Sequence, residues 1–249
     1  MAQSQRPARR FGPWPIFILI VLILVIIWIF ITRRNETPTA TEPDPNFITN
    51  VLSPAPAPII VSNDMIVFQD NFDQTVGAWE LSPVGQAAYT TGVMYLNDSH
   101  IEGVAWARPH LRFQDFILDI DSRWLGGSVG GNYGIHFRMQ DSGEFLGFYV
   151  RNDGRFRIVQ NGTGNESTLY EAFSPAISHA GEANHLRVEA NGNTFRFFVN
   201  GGYLVDLQVA AGSAGDIMLV AEKAEGTETF QVGFDNLIVT LHPGSAPVP

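Results

Sequence analysis

Three segments of the chain alternate apolar and chemically active side chains. In DFILDIDSRW (115–124), Phe116, Leu118 and Ile120 fall on one side and Asp119, Asp121 and Arg123 on the other. In YGIHFRMQ (133–140), Ile135, Phe137 and Met139 oppose His136 and Arg138; in EFLGFYVR (144–151), Leu146, Phe148 and Val150 oppose Tyr149 and Arg151. If the three segments are neighbouring strands, Asp119, Asp121, Arg123, His136, Arg138, Tyr149 and Arg151 assemble one polar patch. Carboxylates, guanidinium forks and a phenol ring are groups that hydrogen-bond sugar hydroxyls and cover sugar ring faces. The same alternation is equally met by Asp–Arg pairs across strands on a solvated face, each worth about 0.2–1 kcal/mol. Asp119 and Asp121 also lie on one side of their strand, roughly 6–7 Å apart, so they are the candidates for carboxylate acid–base chemistry.

Other chemistries are narrowed by composition. The chain has no cysteine, which excludes disulfides, thiolate catalysis and cysteine-based zinc sites. Its six histidines show no H-x-x-x-H or similar ligand spacing, so no transition metal is assigned. Gly126-Gly127-Ser128-Val129-Gly130 has the form G-x-S-x-G, but a nucleophile elbow needs a strand before the serine and a helix after it. Here Gly131-Asn132 and another strand follow, so the segment reads as a glycine-rich β-loop. Beyond Arg34, 25 acidic residues face 10 basic ones, a balance near −15 that argues against nucleic acid or anionic lipid as a partner.

The elements that must position these side chains are strands. From Met65 onward, short runs rich in Val, Ile, Phe and Tyr are separated by Gly, Asn and Asp. The clearest cover 65–70, 104–109, 115–124, 133–140, 144–151, 154–160, 185–190, 194–200, 203–209, 216–222 and 229–241. Asn152-Asp153-Gly154, Asn191-Gly192-Asn193 and Asn200-Gly201-Gly202 supply hairpin turns. No window has a convincing 3.6-residue period; 171–180 holds one turn at most. Many antiparallel strands with short loops give an all-β, two-sheet jelly-roll sandwich over residues 59–242.

Upstream lies a different kind of sequence. Residues 14–31, WPIFILIVLILVIIWIFI, are an uncharged apolar run about 27 Å long as a helix, matching a bilayer's hydrocarbon core. The run is too long for a signal-peptide core, and Thr32-Arg33-Arg34-Asn35-Glu36 offers no small-residue cleavage site. The expectation is a signal-anchor: residues 1–13 cytoplasmic, a transmembrane helix over 14–32, and a Pro/Thr-rich stalk over 33–58. The stalk carries an extracytoplasmic domain, and 243–249 form a disordered tail.

Residues 184–241 carry a family resemblance. NHLRVEANGNTFRFFVNGGYLVDL followed by AGDIMLVAEKAEGTETFQVGFDNLIVTL resembles the closing half of concanavalin A-like lectin/glucanase sandwiches, with their v-x-v-x-G-n hairpin, N-G turn and final F-D-N strand. NYGIHFRM (132–139) and FLGFYV (145–150) resemble the branch holding 3-keto-disaccharide hydrolase-like and family-16-like domains. The resemblance covers about residues 65–241, and its motifs are structural, so it speaks to fold more than to activity. It implies a curved sheet offering its outer face to saccharide. Family-16 glucanases carry E-x-D-x-x-E; the nearest match is Asp119-Ile120-Asp121-Ser122-Arg123-Trp124, with Trp124 where the acid/base would stand. The resemblance also implies a structural Ca²⁺ site where 70–73 (Asp-Asn-Phe-Asp) meets Asp235-Asn236, with Asp73 and Asp235 as ligands; the alternative is an Asx-turn at Asp73 and loop capping by Asp235.

The sequence thus points to a membrane-anchored carbohydrate-recognition or adhesion module at the cell envelope, without catalysis and without a cofactor beyond that Ca²⁺. Two alternatives stand beside it: a glycoside or keto-glycoside hydrolase-type enzyme using Asp119 and Asp121, and a structural envelope protein binding another protein.

Overall fold

The computed structural model describes residues 66–73, 79–83, 86–90, 92–99, 104–162, 165–179 and 181–243. The apolar segment 14–32, the stretch 33–58 and residues 244–249 of the tail lie outside them, so the anchor, stalk and tail expectations do too.

The described residues hold fifteen strands: β1 (Ile66–Asp70), β2 (Glu80–Leu81), β3 (Gln86–Thr90), β4 (Val93–Asp98), β5 (Ala105–Arg108), β6 (Phe116–Gly127), β7 (Asn132–Met139) and β8 (Phe145–Val150), then β9 (Arg155–Asn161), β10 (Glu166–Phe173), β11 (Ala183–Asn191), β12 (Thr194–Val199), β13 (Gly202–Gln208), β14 (Asp216–Glu222) and β15 (Phe230–Leu241). They form two antiparallel sheets. An eight-stranded sheet runs β13-β12-β11-β6-β15-β4-β3, with β1 added on β15; a seven-stranded sheet runs β10-β9-β8-β7-β14-β5-β2. No helix occurs among the described residues. The expected all-β two-sheet sandwich is the observed fold.

Alternation explains why the sheets close on each other. Leu118 and Ile120 of β6, Val188 and Ala190 of β11 and Phe195 and Phe197 of β12 meet Ile135 and Phe137 of β7, Leu146 and Phe148 of β8 and Ile217 and Leu219 of β14 in one buried core. Phe137 lies 5.6 Å from Phe195 and Phe148 lies 5.2 Å from Phe197, ring centre to ring centre, locking the sheets face to face. Each such ring contributes about 1.5–3 kcal/mol of burial. The three expected hairpins join β8 to β9, β11 to β12 and β12 to β13. At the last of these, Asn200 and Gly201 have φ of 50° and 76°, the two positive values a type I′ turn requires.

Four strands were not anticipated: β2, β3, β4 and β10. β4, VMYLND, is an interior strand between β15 and β3, buried at every position, so no alternation of buried and exposed side chains marks it. β10, ESTLYEAF, is a polar edge strand, exposed or half-exposed throughout.

Candidate ligand-binding face

The seven residues of the expected patch do not share a surface. Asp119, Asp121 and Arg123 stand on β6, in the eight-stranded sheet, whereas His136, Arg138, Tyr149 and Arg151 belong to β7, β8 and the turn after it, in the seven-stranded sheet. Between 127 and 132 the chain crosses from one sheet to the other, so sequence neighbours become residents of opposite faces.

On the eight-stranded sheet the polar side chains pair with one another. β11 lies beside β6, bringing His185 opposite Asp121 and Arg187 opposite Asp119. His185 Nδ1 lies 2.8 Å from Asp121 Oδ1 and its Nε2 lies 3.0 Å from Asp119 Oδ1. Two acceptors on one ring require both nitrogens to donate, which makes His185 an imidazolium. Burial alone would push its pKa down; hydrogen bonds and charge from the two carboxylates outweigh that and raise it to about 9. The pairing continues outward, with Arg187 3.7 Å from Asp119 and 3.1 Å from Glu189, and Arg196 3.9 Å from Glu189. Asn236 Nδ2 donates to the remaining Asp121 oxygen at 2.9 Å. Arg123 donates through Nε to the Gly181 carbonyl. Asp119 and Asp121 are thus held by a shared cation rather than poised for proton transfer.

Arg138 is not on an outer face at all. It is 2% exposed, and its guanidinium donates to the carbonyls of Gly212 (2.5 Å) and Gly192 (3.2 Å) and to Asp115 (3.2 Å), with the Phe195 ring 5.6 Å away. The reason is a β-bulge: the register between β7 and β14 shifts between Asp216 and Met218, and Arg138 takes a φ of 53°. The extra residue breaks strict alternation and turns Arg138 inward, where it ties the β11–β12 hairpin and the β13–β14 connection to the strand. Arg151, just past β8, pairs with Asp153 at 2.9 Å.

The outer face of the seven-stranded sheet is built differently. Tyr149, Val159, Met218 and Val220 form a second apolar cluster there, joined by the partly exposed Trp106, Met139 and Phe145. Gly147 makes room for it: a Cβ at that position would lie 2.7 Å from Val159 and 3.2 Å from the Tyr149 ring. His136 stacks on Phe145, with ring centres 3.8 Å apart and planes 11° from parallel, and its Nε2 lies 2.6 Å from the Tyr149 hydroxyl. Burial holds its pKa down near 3, so this histidine is neutral. His136 and Tyr149, each 4% exposed, are the floor of this face rather than its contact layer.

The rim consists of residues the sequence had not singled out. Trp106 carries the Arg108 guanidinium 5.5 Å above its ring, and Arg108 Nε donates to Glu80 at 2.6 Å. Arg157 lies 5.9 Å over the Tyr149 ring and pairs with Glu166. Glu222 accepts from Asn132 Nδ2 at 2.7 Å. Burial, opposed by Arg157 and reinforced by the charge of Glu222, raises the Glu166 carboxyl. The only signal that could have found these groups is outward phase: Trp106 in β5, Arg157 in β9 and Glu222 in β14 each alternate with core residues.

Asp73 and Asp235 do come to one corner. Asp235 is raised to about 6, first by burial, opposed by the Asn236 amide, then by the charges of Asp121, Asp73 and Asp70. Asp70 spends its oxygens on the Phe72 amide and the Trp79 indole, and Asp73 takes the Asn71 amide at 2.6 Å. Among the described residues no group of three or more acidic or histidine side chains is arranged to hold a metal ion.

Two sheets with this strand order define a concanavalin A-like sandwich, and solved structures agree. The carbohydrate binding module CBM66 from Bacillus subtilis superposes with a TM-score of 0.56 at 18% identity, over 67% of this chain and 97% of that one. A Bacillus licheniformis β-glucanase gives 0.56 at 10% identity, over 70% and 97%. An endo-β-galactosidase from Clostridium perfringens that releases GlcNAcα1-4Gal gives 0.61 at 9%, over 77% and 66%. At these identities the likeness is one of fold. The family described as 3-keto-alpha-glucoside-1,2-lyase-like domain matches residues 68–240, and the chain belongs to it. Comparison with curated protein sequences gives no match.

Proposed function

We propose that the outer face of the seven-stranded sheet engages saccharide, and that the domain is a carbohydrate-recognition module held outside the cytoplasm by the 14–32 anchor and the 33–58 stalk. The observation that carries this reading is the apolar floor of Tyr149, Val159, Met218 and Val220 under a partly exposed Trp106 and Phe145, rimmed by Arg108, Arg157, Glu166, Glu222 and Asn132. Sugars present apolar ring faces edged with hydroxyls, so a site for them combines aromatic bodies with charged and amide hydrogen-bonding groups. The carbohydrate-binding and glucanase names of the structural neighbours support a glycan as ligand, although at their low identity they bear on fold first. The seven residues of the sequence-derived patch do not carry this proposal as a set; of them, Tyr149 and His136 enter it as the supporting floor.

The test is glycan-array retention by the full-length protein in detergent. Retention is expected for the wild type, with Trp106→Ala weakening it at least tenfold, equivalent to about 1.4 kcal/mol. Retention by neither, or equal retention by both, removes the reading. On intact cells, externally added protease is expected to remove the domain, and protection would overturn its placement.

A further inference from the structure

Resting on that saccharide reading, we infer that the outer face ends in a closed subsite for one terminal sugar unit, so that the domain holds glycan chains by an end. Phe145 links the face to this subsite. It stacks on His136 as part of the outer face, and it also walls a cavity of about 280 Å³ beside the start of β8. Sites for whole small molecules occupy roughly 300–1,000 Å³. A cavity just under that range suits a single ring.

The cavity exists because its far wall carries almost no side chain. The connection from β13 to β14 runs Ala210-Ala211-Gly212-Ser213-Ala214-Gly215, with nothing larger than serine to fill the space. Hydrogen bonds from two strands fix that wall. The Gly212 carbonyl accepts from Arg138 of β7 at 2.5 Å, and the Ala210 carbonyl accepts from Gln160 Nε2 of β9 at 3.0 Å. Arg138 is anchored in turn to Asp115 and to the Gly192 carbonyl. It reaches this position through a bulge and a left-handed φ of 53°, backbone strain of the kind that gathers at ligand sites. A chain lying over Phe145 therefore runs into a tied wall, not an open groove.

The lining sets the chemistry of what enters. Gln160 and Asn161 each donate an amide N–H to a carbonyl, of Ala210 and of Gly143 (2.7 Å), which leaves their side-chain oxygens to accept from a ligand. Sugar hydroxyls are donors that match those oxygens, and they accept as readily as they donate. One buried guanidinium, Arg138, and one exposed carboxylate, Glu144, both line the space. With one charge of each sign present, a neutral polyhydroxyl ring is preferred to a cation or an anion.

The experiment uses the full-length protein in detergent on the glycan array, and in calorimetric titration with amylose, laminarin and xylan. Each polymer is titrated intact and after partial acid hydrolysis, which multiplies chain ends at constant mass of sugar. For a polymer that binds, the protein held per gram at saturation should rise in proportion to the ends created. On the array, Ala210→Phe fills the cavity from an exposed loop position and should weaken retention at least tenfold, with Gln160→Ala weakening it about tenfold. Both variants should melt at the wild-type temperature. Protein held per gram that stays constant on hydrolysis overturns end recognition and leaves the saccharide face standing. So does wild-type retention by Ala210→Phe or, should that variant melt early, by Gln160→Ala. Binding of the wild type to no array glycan and no polymer overturns both readings.

Discussion

Each outer face of the sandwich carries a buried histidine, and the two are in opposite states. His185, on the eight-stranded sheet, lies between Asp119 and Asp121 with both nitrogens bonded and is a cation. His136, on the seven-stranded sheet, stacks on Phe145, bonds only to Tyr149, leaves Nδ1 without a partner and is neutral. Charges alternate from Arg196 through Glu189, Arg187, Asp119 and His185 to Asp121, so each is offset by the next. Around His136 the bodies are apolar and the polar heads stand at the rim. A face whose charges satisfy one another holds the sheet together and has little left for a ligand; a face with an apolar floor and peripheral polar groups retains its capacity to bind.

The largest effect should come from removing the cation of the first face. His185→Ala leaves two buried carboxylates side by side, and urea denaturation is expected to show a loss of about 3–5 kcal/mol with glycan retention unchanged. A loss below about 1 kcal/mol would mean the ladder is decorative, and lost retention would place the ligand on the wrong sheet. Trp106→Ala should behave in reverse, losing ligand and little stability.

The pH dependence separates the histidines by sign. His185 has a folded pKa near 9 against about 6.5 unfolded, so its contribution is complete below pH 6.5 and lost as pH rises through 9. The size of that alkaline loss is roughly 3 kcal/mol. His136 is depressed to about 3, so it favours folding above pH 6.5 and opposes it progressively as pH falls below that value. Melting curves should show both limbs, His185→Gln removing the alkaline one and His136→Gln the acid one. In NMR titration, His185 should change near pH 9, and His136 should stay neutral for as long as the protein is folded. Titration of both near 6.5 would dissolve the contrast.

These sites were legible in the sequence to different depths. Period-two alternation reveals a strand and its two sides, which is why β6, β7, β8, β11 and β15 were found. It does not say which strands share a sheet. That follows from pairings such as Ile120 with Leu186, 66 residues apart, which place β11 rather than β7 beside β6. With that pairing known, His185, Arg187 and Glu189 would have read at once as partners of Asp121 and Asp119. Arg138 was misplaced because one inserted residue at the bulge reverses the phase. Arg157 and Glu166 pair across β9 and β10, and Asn132 and Glu222 across β7 and β14, in no shared motif, so only the strand pairing shows them as partners.

The smallest effect concerns the corner where the paired face gives way. Asp121 is offset by His185, but Asp235 also feels Asp70 and Asp73, and its carboxyl is raised to about 6. A carboxyl raised on folding favours the native state when protonated. Its penalty is therefore absent below about pH 3.8, grows through pH 6 and is complete above it. Asp235→Asn removes that penalty at the expense of a changed cap on the Asn236 amide, so the variant should be more stable at pH 7.5 by about 1 kcal/mol and no more stable at pH 3.5. Measured in EDTA and again in millimolar Ca²⁺, the gap should be the same if the raised carboxyl of Asp235 has only its acidic neighbours to answer to. A gap that closes in Ca²⁺ would mean that a bound cation, with backbone oxygens completing its shell, supplies at Asp235 the compensation that His185 supplies at Asp121.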